Sequence, residues 1–484
     1  MNPKNVTKRN QPLQREAGSF RDRANQVYYV DGRVLRGLSE TALAHWHALV
    51  GQKFFQKMLK KGRVIGTELL AGDDGLGATI AKDGWSGVLE HRTLPMVTYP
   101  YEWTFGMLKD AALLHLDLLE ELIENDWILK DATAYNVQWI GPKPTFIDVV
   151  SFEPLQKNAP WIGYRQFCMM FLIPLLLKAH RDIDYIPFLR SDLEGISPAE
   201  AVKFFSFPGL FKKGVFMHVY LHSKLQVAYS DDQPKKRDVS NKKVKHTKAM
   251  VLGTIQGLRR LVKRLKLKNQ PTTWGDYDQK HSYSDESFEQ KQAFVQRHVE
   301  KKHWGMIWDI GCNTGTFSKL CSPFADSVLS IDGDAMAIEK LYQQQKREEK
   351  SNILPLIMNL GNLSPNQGWR GQERKALEER GTPDFLLCLA LIHHMVISAN
   401  IPMRDFLAWI RSLDSDVILE FVGPEDEMTQ HLLKNRVNQY TDYTEENFDS
   451  IASEMFTIVE KMPLKSGRRQ IYYLQPQSSS YGNS

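Results

Sequence analysis

Two carboxylates and two glycines, each at the end of an apolar run, are the first residues in this sequence whose types and spacing could do chemistry. In MIWDIGCNTG, residues 306–310 form an apolar strand and Gly311-Cys312-Asn313-Thr314-Gly315 a tight turn, after which Thr316 opens a helix. Glycine accepts positive φ and lets a ligand approach the main chain, while the helix start adds donor N–H groups, so the turn suits a nucleotide-like ligand. A second strand, 327–331, ends at Asp332, about 20 residues beyond the turn, where a carboxylate can accept from ribose hydroxyls. The dinucleotide pattern G-x-G-x-x-G is not met, because Asn313 replaces the middle glycine and residue 316 is Thr. Asp309 would repel a pyrophosphate and would suit a ligand with an amino group. A purely structural loop is the alternative reading of this turn.

Two further sets follow. A fourth apolar run, 384–392, ends at His393-His394. At the carboxyl end of a parallel strand, one of these histidines can take a proton from a hydroxyl acceptor; the alternative is that one packs and the other shapes the pocket. In the N-terminal half, Asp131 is followed by Asn136 and then, after a short hairpin, by Asp148. Phosphoryl transfer uses such a set, the first Asp orienting a hydroxyl and the other two holding magnesium on nucleotide phosphates.

The elements that must carry these residues are readable in outline. Strands alternate with helices from residue 270 to about 475, the pattern of a parallel sheet with helices on both faces. Upstream, a helix over 104–126 precedes the Asp131 loop, and the apolar run 167–179 contains Pro174 and reads as a buried helix. Between them lies a basic stretch. From Tyr229 to Asn269 thirteen Lys and Arg stand against three Asp, a net of +10, whereas the remaining 49 basic and 54 acidic residues net −5. A mildly acidic body does not suit nucleic acid. The basic linker is a candidate for weak contact with an anionic surface. Val251, Ile255, Leu258, Val262 and Leu265 recur at helical spacing with basic residues opposite, which favours a packed stripe under a solvated face over a membrane-surface helix.

The four cysteines show no C-x-x-C and no zinc spacing, and the N-terminus shows no secretory pattern, so reduced thiols and a cytoplasmic address are expected. No run is long enough to span a membrane.

DIGCNTG followed by SIDGDAMAIEKL resembles the first two motifs of class I S-adenosylmethionine-dependent methyltransferases. The resemblance implies S-adenosylmethionine as cofactor, with Asp309, Gly311, Asn313 and Gly315 around its methionyl part and Asp332 on its ribose. Asn359 and Ala390, after the next two strands, fall on the cofactor side, Asn359 standing where the family often has an acid for the adenine amine. ALIHHM, ISANIP and ILEFVGPEDEM resemble the bacterial nodulation-protein NoeA-like methyltransferases. The N-terminal half resembles the C-lobe of protein kinases, which implies a magnesium–ATP site at Asp131, Asn136 and Asp148. It departs from them at Leu129-Lys130 and Val149-Val150, lacks the glycine-rich loop and clamp lysine, and offers Arg36 as a substitute cation.

The expected protein is therefore α/β: a C-terminal doubly wound Rossmann-like methyltransferase domain (270–475), preceded by an α+β kinase-like domain (20–228) and a basic linker with an amphipathic helix (229–269). A disordered tail (1–19) and a polar tail (476–484) flank them. The expected activity is methyl transfer to a small-molecule or glycan acceptor, oxygen slightly favoured. A phosphotransferase using the N-terminal half, or a cofactor-binding regulatory protein without turnover, are the alternatives.

Overall fold

The computed structural model describes residues 12–71, 74–224, 247–267, 285–348, 351–434 and 439–477. Of the expected linker, 229–246 and 268–269 lie outside the described residues, as do 1–11 and 478–484 of the expected tails; Gln14–Arg15, within the first tail, forms a strand. The chain divides into two compact units: one of Met1–Trp139, Pro144–Asn269 and Asn366–Arg374, the other of Ile140–Lys143, Gln270–Pro365 and Lys375–Ser484.

The first unit begins with a five-stranded antiparallel sheet in the order Gln14–Arg15, Asn25–Val30, Arg33–Leu38, Gly87–His91, Thr67–Leu69. Helix Phe105–Glu124 follows, started by Thr104, whose hydroxyl accepts the Met107 N–H at 3.2 Å. Leu108, Ala111, Ala112, Leu119 and Leu122 on it are fully buried, each large aliphatic contributing about 1.5–3 kcal/mol. Helix Lys248–Arg264 lays Val251, Ile255, Leu258 and Val262 inward, and its Arg259 pairs with Asp117 on Phe105–Glu124 at 2.5 Å. The expected stripe is thus packed. The run 167–179 is helical throughout and buried except at Lys178, with a wide π turn at Cys168–Leu172 just before Pro174. A proline there lacks the N–H that a tighter ladder would need.

The second unit is a seven-stranded sheet in the order Ile353–Ile357, Ala325–Asp332, Trp304–Ile310, Phe385–Cys388, Asp416–Val422, Arg469–Pro476, Phe456–Pro463. The first five strands are parallel and the last two close the sheet antiparallel. Ile307, Val328, Leu387 and Ile418 have no exposure, the continuous apolar character that strands covered on both faces require. Among the described residues no helix is long and apolar enough to cross a membrane, and the four cysteines are free and buried.

One element differs from the expectation. The fourth strand ends at Cys388 rather than at residue 392, because Ala390 takes φ +49° and leaves the ladder. His393 and His394 therefore sit at the start of a helical turn, the His394 N–H donating to the Leu391 carbonyl at 2.9 Å.

Candidate functional site

Register places the candidate residues on one edge. Ile310 pairs with Ile331 and Cys388, and Asp332 with Ile357. The segments that follow, beginning at Gly311, Gly333, Met358 and Leu389, therefore leave the sheet together at its carboxyl end. Ligands of open parallel sheets bind at that end.

The turn after the first strand is fixed by its backbone. Gly311 and Cys312 both donate to the Ile331 carbonyl, at 2.8 and 3.1 Å, and Gly315 donates to the Cys312 carbonyl at 2.9 Å. Gly311, Asn313 and Gly315 have φ of +75°, +51° and +79°. At Gly315 a Cβ would also lie 2.6 Å from a Leu341 methyl, so glycine is needed for conformation and for packing against helix Ala335–Gln345. Asn313 is an L residue held at positive φ, a strained state that concentrates at binding sites.

Asp332 ties the second strand to this turn. Its Oδ2 accepts the Asn313 N–H at 2.9 Å, and its Oδ1 accepts the Asp334 N–H at 2.8 Å; Asp334 in turn caps helix Ala335–Gln345. Burial raises its pKa, against these bonds. Asp309 lies deeper, 2% exposed, where Ser318 Oγ donates to its Oδ2 at 2.6 Å and Ser330 Oγ donates on to Ser318 at 2.8 Å. Burial pushes its carboxyl up to about 6, the charge of Asp332 adding to the effect and Ser318 opposing it. Asn359 is exposed and accepts the Gly361 N–H at 2.9 Å. Ala390, in its left-handed conformation, marks the fourth strand's exit.

His393 is 2% exposed and its Nδ1 is buried without a hydrogen-bond partner, while the His394 ring packs on it at 4.2 Å. Desolvation, with His394, Arg469 and Lys291 nearby, holds His393 well below 6.5; burial lowers His394 too. Both are neutral imidazoles near pH 7.

A buried ionic cluster adjoins these groups and was missed from the sequence. Lys291 Nζ donates to Glu420 Oε2 at 2.6 Å, Arg469 Nη1 to Glu420 Oε1 at 3.3 Å, and Arg469 makes a two-pronged contact with Asp426 at 2.7 and 3.0 Å. An acid inside the apolar strand VILEFV was the available signal, since a charge is kept in such a place only if it is paired. Its partners lie 129 and 49 residues away, beyond local pattern.

S-adenosylmethionine carries an ammonium group, ribose hydroxyls and an adenine. The residues fit it: acids stand at the ends of two neighbouring strands, and Asn313 Oδ1, like His393 Nδ1, is a buried polar atom without a partner.

In the first unit, Asn136 and Asp148 meet across the hairpin: the Ile147 N–H donates to the Asn136 carbonyl at 2.9 Å, and Asn136 Nδ2 lies 3.4 Å from Asp148 Oδ2. Arg36, on strand Arg33–Leu38, donates to Asp148 Oδ1 at 2.6 Å and to Asn25 Oδ1 at 3.2 Å. Lys130 donates to Asp22 at 2.7 Å. Burial raises the Asp131 pKa, with Asp148 adding to it. The candidate residues thus share one neighbourhood, but a guanidinium and an amide N–H hold Asp148 where a metal would need oxygen donors. Among the described residues no group of three His, Cys, Asp or Glu is placed to hold a metal. The arrangement does not fit a preassembled magnesium site.

The parallel sheet closed by an antiparallel pair, with the glycine turn and Asp332 at its carboxyl edge, defines a protein of the Rossmann-like methyltransferase class. No family model matches the chain. Over 461 residues, 95% of each chain, it is 33% identical to the nodulation protein NoeA of Rhizobium meliloti (strain 1021). The chain belongs to the NoeA family. Among solved structures it is similar to the N-methyltransferase NodS from Bradyrhizobium japonicum WM9 in complex with S-adenosyl-L-homocysteine (13% identity, 41% of this chain and 96% of that chain, TM-score 0.30). It is also similar to the magnesium protoporphyrin IX methyltransferase ChlM from Synechocystis PCC 6803 with bound S-adenosylhomocysteine (14% identity, 46% and 95%, TM-score 0.30).

Proposed function

We propose that the second unit is an S-adenosylmethionine-dependent methyltransferase acting on a small-molecule or glycan acceptor, with oxygen slightly favoured as the nucleophile. The observation that carries this reading is the bond from the Asn313 N–H to Asp332 Oδ2 at 2.9 Å, which couples the glycine turn to the acid at the next strand's end. Bound there, S-adenosylmethionine supplies an electrophilic methyl group.

The chain's own residues have distinct parts. Asp332 keeps lone pairs for ribose hydroxyls beyond those used by Asn313 and Asp334. Asp309, Gly311, Asn313 and Gly315 surround the methionyl end, and the Asp309 carboxylate balances an ammonium group. Asn359 and Ala390 border the adenine side. The neutral His393 imidazole, with Nδ1 unpartnered, takes the proton of a hydroxyl acceptor, and the tilted His394 ring packs against it and limits its rotation. Alignment of the acceptor with the methyl carbon supplies much of the rate, because holding two reactants in line removes most of the entropic barrier.

The test is calorimetry of the full chain with S-adenosylhomocysteine, paired with mass spectrometry of extracts from cells with and without the protein. Micromolar binding and a product 14 mass units heavier are expected from methyl-for-hydrogen exchange. A folded chain that binds no S-adenosylhomocysteine would sink the assignment.

A further inference from the structure

One face of the first unit is apolar where it should be polar. Helical residues 215–224 turn Val215, Val219 and Ser223 inward, yet the opposite side carries Phe216, Met217 and Leu221, exposed by 42%, 56% and 37%. Just before them Phe207 and Phe211 are exposed by 76% and 65%. The rings form a continuous row: Phe207 meets Phe211 edge-on at 5.5 Å, Phe211 stacks on Phe216 at 6.0 Å, and Phe216 stacks on Tyr220 at 5.7 Å. A helix with apolar residues on both faces has something other than water on its outer side.

Charge identifies the occupant. Residues 201–230 contain Lys203, Lys212, Lys213 and Lys224 and no acid, and 235–248 adds seven Lys or Arg against one Asp. All four lysines are exposed, and Lys224 Nζ lies 5.7 Å from the Tyr220 ring at the end of the row. Exposed aromatic and aliphatic side chains in a segment whose only charged side chains are lysines match the boundary between acyl chains and anionic headgroups. Single-stranded nucleic acid would need free ring faces for its bases, whereas Phe211, Phe216 and Tyr220 already spend theirs on one another.

We propose that the Phe207–Leu221 face binds the surface of an anionic lipid bilayer, seating its rings at the acyl boundary and its lysines among the headgroups. This does not depend on the methyltransferase reading.

The experiment is co-sedimentation of the full chain with vesicles of phosphatidylcholine alone or mixed equally with phosphatidylglycerol. Sedimentation with the anionic vesicles only is expected. Phe207→Ser/Phe211→Ser, and separately Lys203→Glu/Lys213→Glu, should each weaken it by about tenfold or more, since both apolar insertion and charge contribute. The altered side chains are exposed, so melting temperature and S-adenosylhomocysteine affinity should hold, which confirms folding. Wild-type protein left in the supernatant overturns the proposal. So does unchanged vesicle binding by the Phe207→Ser/Phe211→Ser variant, which would assign the effect to the basic run alone. A wild-type dimer dissolved by that variant, or loss of RNA binding in place of vesicle binding, would give the face to a different occupant and overturn it as well.

Discussion

Lys291 Nζ and Glu420 Oε2 lie 2.6 Å apart in a part of the second unit where the two side chains are 4% and 0% exposed. Desolvation lowers the Lys291 pKa and Glu420 works against it. A pair in that setting contributes little net stability, but losing Lys291 leaves the buried cluster, in which Arg469 already balances Asp426, with one uncompensated negative charge. Lys291→Met should therefore cost about 3–5 kcal/mol in urea unfolding. Lys291→Met/Glu420→Gln should recover most of it, because Arg469 and Asp426 still balance each other. A double variant as unstable as the single would show that the cluster holds the fold through more than this pair.

Asp309 makes the second unit pH-sensitive in a definite direction. Burial raises its folded pKa to about 6 from 3.8, so folding favours the protonated form. Its contribution is full below about pH 4 and is lost as pH rises through 6, to a limit of about 3 kcal/mol. Asp309→Asn should flatten that part of the stability profile. A cofactor ammonium prefers the ionised acid, so wild-type affinity for S-adenosylhomocysteine should climb between pH 5 and 7 while the Asn variant stays level. Parallel profiles for the two proteins would remove Asp309 from the cofactor's contacts. At neutral pH, Asp309→Ala and Asp332→Ala should each lose about 1.5–3 kcal/mol of binding, the worth of a charge-assisted bond.

For His393 the decisive readout is a split between binding and turnover. His393→Asn should lower turnover by roughly 10²–10⁴ with cofactor affinity nearly unchanged. Because desolvation holds the imidazole well below 6.5, the wild-type rate should be flat from pH 6 to 8. A rate that titrates near 6.5 would point to a solvated group, and equal loss of binding and turnover would make His393 a shaping residue.

How much of this was legible beforehand follows the range of each signal. Asp309, Gly311, Gly315 and Asp332 announce themselves because strand, turn and helix are consecutive and their periodicities local. The inward stripe of helix Lys248–Arg264 was legible for the same reason. The end of the fourth strand was not: CLALI is apolar throughout, and only the positive φ of Ala390 breaks it. Lys291, Glu420 and Arg469 form one cluster through tertiary contact alone, so nothing near Lys291 in FEQKQAF foretells its burial. The Asp131, Asn136 and Asp148 spacing was visible, but the guanidinium that meets Asp148 comes from a strand 112 residues earlier.

That last contact decides what the first unit should do with nucleotide. Arg36 and Asp148 form a 2.6 Å ion pair with side chains 10% and 16% exposed, and Asn136 turns its amide nitrogen toward the same carboxylate. For magnesium to bind, Asp148 would have to give up the guanidinium, and the metal's oxygen ligands would have to come largely from the nucleotide itself. The pair is therefore read as structural. Arg36→Met and Asp148→Ala should each cost about 1.5–3 kcal/mol, the range for a hydrogen bond to a charged group. Thermal unfolding of the full chain should not move when millimolar ATP and magnesium are added together, because a ligand raises the melting temperature only if it binds the folded state. A rise that Asp148→Ala abolishes would restore the nucleotide site. Phosphate transferred to an added acceptor would go further and make the first unit a phosphotransferase.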